Sequence, residues 1–231
     1  MEVVLERFTL PTDNFARDLE NIISLLAINT NEISLGLTGT LLLGNVRQYH
    51  DLDIIFMGSL DQNRHIANKM RDIISQDKHR RLFEGRKGWS IRFFNDYGRI
   101  MCMFFGYRDV TEAPLRNFEM KVIQDNVTIE GTVSDDTHSM YTPTILQLGD
   151  ISFETPVFHR PDDLNNQQLE LIIYHTASRG DCVKGDRIRA RGALVEVTKQ
   201  ETTNSTLCVI DREGVKNLTP LWAGYYAENF G

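Results

Sequence analysis

The chain has 231 residues, of which 41% are hydrophobic and 25% are charged, and this composition is typical of a folded globular protein. No apolar segment approaches the ~20 residues that span a bilayer, and residues 1–7 lack the residue order of a signal peptide. We therefore expect a cytoplasmic protein that does not contact a membrane. The formal net charge of −7 argues against broad, sequence-independent binding to nucleic acid, which needs surplus Lys and Arg.

The first predicted elements are a helix and a short strand. Apolar residues recur at near-helical spacing over residues 12–28, which predicts an amphipathic helix. An apolar run at residues 33–37 predicts a strand that ends close to Gly39 and Thr40. A strand that leads through such a turn into a helix exposes backbone N–H groups and a hydroxyl, and this geometry suits phosphate.

The apolar run at residues 54–57 predicts a buried strand, and two carboxylates stand near its start. Asp51 and Asp53 are two residues apart, so on a strand both side chains project from the same face. Like charges placed side by side need basic partners, a retained proton or a bound cation, and hard oxygen ligands suit Mg²⁺. His50 is the only histidine next to these acids.

A second helix and a hairpin complete the predicted N-terminal half. Apolar spacing predicts a helix at residues 61–76, and two apolar runs predict strands at 89–94 and 99–105. This order indicates helices on a mixed sheet. Neither hairpin strand contains an acid, whereas the first contains Arg92.

The sequence contains Gly39-Thr40, then a spacer of ten residues, then Asp51-Leu52-Asp53 followed by apolar residues. This pattern resembles the signature of the DNA polymerase beta-like nucleotidyltransferase superfamily. The resemblance covers roughly residues 15–106 and is strongest to small predicted nucleotidyltransferases of archaeal type. It implies that Asp51 and Asp53 are catalytic ligands of Mg²⁺ and that Gly39 and Thr40 bind the phosphates of a nucleoside triphosphate. The implied reaction transfers a nucleoside monophosphate to a hydroxyl acceptor.

The resemblance also implies a third carboxylate, which active members usually carry on a later strand of the same sheet. The predicted hairpin strands lack one, and Asp96 lies in the turn between them. Arg92 could instead neutralise Asp51 and Asp53. The alternative is therefore a catalytically inactive nucleotide-binding or nucleic-acid-binding protein that retains the fold.

After Pro114 the pattern changes to short strands separated by turn residues, which predicts a small barrel or sandwich. Residues 185–197 alternate charged and apolar side chains and break at Gly192, and they resemble an OB-fold strand pair. We therefore predict an α+β protein, with a nucleotidyltransferase-like mixed sheet and helices at residues 1–115 and a β-rich, OB-like domain at 116–231. The expected strands of the second domain are residues 118–123, 127–133, 144–148, 169–176, 186–197 and 206–210.

The second domain offers one basic surface. Arg187, Arg189 and Arg191 alternate with apolar residues and share one strand face. That face could follow the phosphates of an RNA or DNA acceptor, or it could be an ordinary solvated face. An adaptor that binds protein instead is a third possibility.

Two further features of the sequence concern metal ligands and thiols. A loop with Asp135, Asp136 and His138 contains metal-ligand residue types but is more typical of a turn. The three cysteines are far apart and support neither a disulfide framework nor a zinc site. Cys102 and Cys208 are expected to be buried, and Cys182 could be exposed.

Overall fold

The computed structural model describes residues 12–39, 51–84, 87–158, 168–199, 202–210 and 214–219. The chain forms two compact units, of which the first extends to Val110 and the second begins at Thr111. Each unit has its own sheet, so the protein is α+β with strands predominating, as predicted. Within the described ranges, no helix has the length and apolar character needed to cross a membrane.

A five-stranded mixed sheet organises the first unit. The elements are α1 (Thr12–Leu25), β1 (Ser34–Leu37), β2 (Asp51–Gly58), α2 (Leu60–Gln76), β3 (Arg81–Glu84), β4 (Lys87–Phe94) and β5 (Ile100–Tyr107). In the order β1-β2-β5-β4-β3, the pair β2–β5 is parallel and the other pairs are antiparallel. A parallel pair requires a crossover connection, which here contains α2.

Strand β2 alternates strictly between buried and half-buried positions. Leu52, Ile54 and Phe56 are completely buried on one face. Ile55 and Met57 lie on the other face and are only half-buried, although an unbroken apolar run is typical of a strand buried on both sides. The residues that share a face with Asp51 and Asp53 therefore retain access to solvent.

Helix α2 begins immediately after β2 and is fixed at its N-terminus by a capping box. The Ser59 hydroxyl accepts a hydrogen bond from the backbone N–H of Gln62, and the Gln62 side chain accepts one from the N–H of Ser59. Ile66, Met70 and Ile74 lie one helical turn apart and are buried. The predicted helix is thus confirmed.

The second unit is a closed ring of five strands, to which a sixth is added. The strands are β6 (Phe118–His138), β7 (Thr144–Phe153), β8 (Leu169–Ile173), β9 (Arg187–Lys199), β10 (Thr202–Val209) and β11 (Val215–Asn217). Strand pairing runs β6–β7–β8–β10–β9 and returns to β6, and β11 pairs with β9. Of these pairs, β8–β10 is parallel and the others are antiparallel. The interior is apolar and includes Ile129, Leu148, Leu171, Ile188 and Leu207.

The two predicted strands at residues 118–123 and 127–133 are one strand of 21 residues, so this part of the prediction is wrong. The break in the pattern reflects irregular pairing with β9 around Gln124, where the register shifts twice, and Asn126 has a φ of 55°. Such bulges bend a strand without ending it. The predicted loop with Asp135 and His138 is the end of the same strand.

Gly192 allows β9 and β10 to approach each other closely. A Cβ atom at this position would lie 2.9 Å from the carbonyl carbon of Cys208 and would overlap its oxygen. The break that the sequence shows at Gly192 is therefore a steric requirement of ring closure.

All three cysteine side chains are buried. The expectation that Cys182 could be exposed is wrong, since 3% of this residue is accessible and it packs in the ring interior. Burial raises the pKa of the Cys208 thiol, which favours the neutral form.

Candidate functional site

Strand pairing brings Gly39 next to Asp53. Strand β1 is antiparallel to β2, and just beyond it the backbone N–H of Thr38 donates a 3.1 Å hydrogen bond to the carbonyl oxygen of Asp53. Gly39 follows with a φ of +67°, a conformation that favours glycine. A Cβ atom here would lie 3.0 Å from Cγ of Asp53 and would overlap its carboxylate oxygen. The exposed backbone of Gly39 and the Asp53 carboxylate therefore form one corner.

Asp51 and Asp53 share the half-buried face of β2, as their spacing predicts. Leu52, between them, is completely buried on the opposite face. The two carboxylates are held on a regular strand rather than a loop, so their backbone positions are fixed by pairing with β5.

Arg92 is the basic partner of Asp51. Its Nη2 donates a 2.7 Å hydrogen bond to Oδ2 of Asp51, and the two side chains are 24% and 30% exposed. In the sheet, Arg92 of β4 is paired with Cys102 of β5, and Cys102 is paired with Asp53 of β2. The arginine and Asp53 therefore lie in one row that crosses the three strands. Its guanidinium also lies 5.2 Å from the centre of the Trp89 ring. One negative charge of the acidic pair is thereby balanced.

The neighbouring strand β5 supplies no further acid to this row. Ile100 and Cys102 stand beside Asp51 and Asp53 in the parallel pairing. Asp96 lies in the turn between β4 and β5, but its carboxylate accepts hydrogen bonds from Asn21 and Arg80. These hydrogen bonds hold the pKa of Asp96 below its usual value, and the one from Asn21 has the largest effect.

A buried carboxylate on α1 was missed by reasoning from the sequence. Asp18 is completely buried and accepts hydrogen bonds from Nδ2 of Asn95 at 2.9 Å and Nε of Arg99 at 3.3 Å. Its position among the apolar residues Phe15 and Leu19 is the signal that could have revealed it, because a polar residue on a buried helical face needs a partner. Asp18 anchors the turn between β4 and β5 to the helix.

Thr40, a predicted member of the site, lies outside the described residues, as does His50, the histidine next to Asp51 in the sequence. Among the residues that are described, no group of three or more His, Cys, Asp or Glu side chains is arranged to hold a metal ion. The site as described consists of the Gly39 turn, two carboxylates and Arg92.

No model of a protein family, no curated protein and no solved structure matches this chain. The functional interpretation therefore rests on the residues themselves and on the geometry of these two units.

In the second unit, the three arginines of β9 point outward as predicted. The residues between them, Ile188 and Ala190, are completely buried. Arg187 forms an ion pair with Glu130 at 3.7 Å and donates a hydrogen bond to the carbonyl oxygen of Asp150 at 2.9 Å. The first arginine is thus occupied by contacts within the unit.

Proposed function

We propose that the N-terminal unit is a metal-dependent nucleotidyltransferase that transfers a nucleoside monophosphate from a nucleoside triphosphate to a hydroxyl acceptor. The proposal rests on the corner formed by the backbone of Gly39 and the carboxylate of Asp53, with Asp51 on the same strand face. An exposed backbone turn suits phosphate oxygens, and adjacent carboxylates suit the cation that accompanies them. The mixed sheet agrees with the nucleotidyltransferase-like fold that the sequence resembles.

The chemistry of the two acids fits Mg²⁺. Both carboxylates offer hard oxygen atoms on one partly accessible face, and Mg²⁺ is commonly held by one or two carboxylates together with substrate phosphates. Asp51 and Asp53 would hold the ion, while Arg92 is a competing cation beside Asp51. When bound, the ion would neutralise charge on the phosphates and on the leaving pyrophosphate.

The protein groups would contribute mainly by positioning the substrate. Gly39 has no side chain, which leaves room for the Asp53 carboxylate against its exposed backbone, so a phosphate bound at this turn would lie beside that carboxylate. The pairing of β2 with both β1 and β5 fixes Asp51 and Asp53, so little reorganisation is needed when the substrate binds.

The C-terminal unit is proposed to be OB-like and to present an RNA or DNA acceptor. This assignment is supported by its closed ring of five strands, which agrees with the small barrel of that fold. The outward arginines of β9 provide local positive charge in a chain whose net charge is −7.

The proposal is tested by thermal unfolding of the full chain with each of the four ribonucleoside triphosphates, with and without Mg²⁺. A ligand at 100 times its dissociation constant adds about 2.7 kcal/mol to the free energy of unfolding. We expect Mg²⁺ to increase the stabilisation by at least one triphosphate, and we expect pyrophosphate release when acceptor RNA or DNA is added. The same stabilisation with and without Mg²⁺ for all four triphosphates would contradict the proposal.

Substituting Gly39 by Ala is expected to weaken Mg²⁺-dependent triphosphate binding by about tenfold or more, because the new Cβ would displace the Asp53 carboxylate. Gly98→Ala is the matched control. Gly98 has a similar φ of +70°, but no atom lies within 4 Å of the Cβ it would gain. Both variants place alanine in a left-handed backbone conformation, so they share that cost. Only Gly39→Ala also displaces the Asp53 carboxylate, and only this variant should lose affinity for the triphosphate in a titration. Equal loss in both would show that the Gly39–Asp53 corner does not bind the ligand.

The second candidate function is nucleotide binding without transfer, and the ion pair between Arg92 and Asp51 favours it. In that case the arginine supplies the positive charge that a metal would otherwise provide. Nucleotide binding would then be independent of Mg²⁺.

Arg92→Gln separates the two candidates. A charge-assisted hydrogen bond contributes about 1.5–3 kcal/mol, so binding without transfer predicts at least a tenfold loss of nucleotide affinity in this variant. The transferase proposal predicts retained or tighter Mg²⁺-dependent binding, because a cation competing for Asp51 is removed. Arg108→Gln is the control, since Arg108 lies in the same unit and donates an exposed hydrogen bond to a backbone carbonyl oxygen, that of Glu32, rather than to Asp51.

A further inference from the structure

An apolar shelf lies on the same sheet face as the two carboxylates of the first unit. It consists of Gly36 of β1 together with Ile55 and Met57 of β2. Gly36 is directly opposite Ile55, and directly opposite residues of an antiparallel pair project from one face. Ile55 and Met57 follow Asp53 at alternate positions of β2, so they share its face. All three residues of the shelf are half-buried.

The shelf is bounded by a side chain on one side and by bare backbone on the other. On the β5 side, Ile55 is paired with Phe104, which is half-buried. On the β1 side, Ile55 is paired with Gly36, which has no side chain. The sheet surface is therefore lower over β1 than over β5, and a flat group could lie against the backbone of Gly36.

Packing within the sheet does not require glycine at position 36. A Cβ atom there would lie 3.5 Å from Cε of Met57 and 3.7 Å from Cβ of Ile55, which is ordinary contact. The pairing of β1 with β2 has no register shift, so Gly36 does not mark a bulge. Glycine weakens a strand interior, and its other common role there is to let a ligand or another backbone approach closely. Among the described residues, the three atoms nearest to that Cβ all belong to β2, so we attribute the glycine to a ligand.

The shelf is continuous with the proposed phosphate site. Strand β1 leads from Gly36 directly to the Gly39 turn, which contacts Asp53. On β2, Ile55 is two residues beyond Asp53, a separation of about 7 Å along a strand. One strand pair therefore presents charged groups and, next to them, an apolar surface. A nucleoside triphosphate has a matching order, with phosphates at one end, a ribose between and a flat base at the other end.

We propose that the shelf binds the base of the nucleoside triphosphate, with the ring lying over Gly36 and in contact with Ile55 and Met57. This inference rests on the proposed function, because the phosphates must be held at Gly39 and the two carboxylates for the base to reach the shelf. Apolar side chains bind a ring through buried area rather than through hydrogen bonds to its edge. Purines bury more area than pyrimidines, so they are expected to bind more tightly.

The test is isothermal titration calorimetry on the full chain with Mg²⁺. The probes are the four ribonucleoside triphosphates and inorganic tripolyphosphate, which carries the phosphates without a base. We expect ATP and GTP to bind about tenfold more tightly than tripolyphosphate. Gly36→Val places a side chain that suits a strand where the ring would lie. It is expected to weaken ATP and GTP by about tenfold and to leave the affinity for tripolyphosphate unchanged.

Met57→Gln is a second variant of the shelf, which keeps the length of the side chain and removes its apolar character. It is expected to weaken ATP and GTP by about threefold without affecting tripolyphosphate. Circular dichroism verifies that each variant is folded. If Gly36→Val does not fold, Met57→Gln decides the question, and unchanged affinity for ATP and GTP in that variant would overturn the proposal.

Gly149→Val is the matched control, since Gly149 is a half-buried strand glycine of the second unit whose Cβ would also be in ordinary contact. It should leave every affinity unchanged. Two results would show that the shelf does not hold the base: triphosphates that bind no more tightly than tripolyphosphate, or equal weakening of ATP and tripolyphosphate by Gly36→Val. In both cases Mg²⁺-dependent binding of tripolyphosphate persists, and the proposed function stands. Absence of Mg²⁺-dependent binding of every probe to the native protein would overturn both proposals.

Discussion

Replacing Asp51 and Asp53 together by Asn is expected to abolish Mg²⁺-dependent stabilisation by nucleoside triphosphate and any associated release of pyrophosphate. The substitution keeps the shape of both side chains and removes both negative charges, so the oxygen ligands lose most of their affinity for a divalent cation. At a triphosphate concentration of 100 times the dissociation constant, the loss is the whole ~2.7 kcal/mol of ligand stabilisation. Thermal unfolding with and without Mg²⁺ measures it directly.

The control for this experiment is the unliganded stability of each protein, because the double variant also leaves Arg92 without its carboxylate partner. Ligand-induced shifts are therefore compared within each variant rather than between variants. Full retention of the Mg²⁺-dependent shift in the double variant would exclude Asp51 and Asp53 as metal ligands.

Gly192→Ala is expected to lower the free energy of unfolding of the second unit by about 3 kcal/mol, near the upper end of the usual cost of overpacking. The added Cβ would overlap the backbone of Cys208 rather than the end of a flexible side chain, so neither strand can relieve the contact by a rotamer change. Urea unfolding monitored by circular dichroism reports the change through the transition midpoint.

Gly149→Ala is the matched control in the same unit. A Cβ atom there would meet only the Cβ of Ser134, at 3.9 Å, which is ordinary contact. This variant should remain within about 0.5 kcal/mol of the parent, the usual range for a substitution without a steric conflict. Similar midpoints for the two variants would mean that β9 and β10 do not approach as closely as described.

Elements with strong periodicity were predicted well from the sequence. Helix α2 begins one residue before the predicted helix and ends at the same residue, and strand β2 contains the predicted apolar run with Asp51 and Asp53 near its start. Apolar spacing over a whole element indicates which of its faces is buried. The predicted separation of residues 118–123 from 127–133 was wrong because bulges interrupt the apolar alternation without ending the strand.

The candidate site was predicted less completely than the fold. The shared face of Asp51 and Asp53 follows from local spacing, but the ion pair with Arg92 depends on the registers of β4 with β5 and of β5 with β2. Such registers are tertiary information that no single segment contains.

Closure of the five-stranded ring has a consequence for how the protein is made. Strand β6 is translated before β9, yet its residue Phe118 pairs with Lys199 of that strand, and β8 obtains its second neighbour only from β10. The growing chain must therefore hold β6, β7 and β8 as an unfinished sheet with exposed edges until residue 209 has left the ribosome. Contacts between such distant segments form slowly, and exposed strand edges promote aggregation. Polypeptides that end between residues 173 and 202 are expected to be the forms most dependent on chaperones.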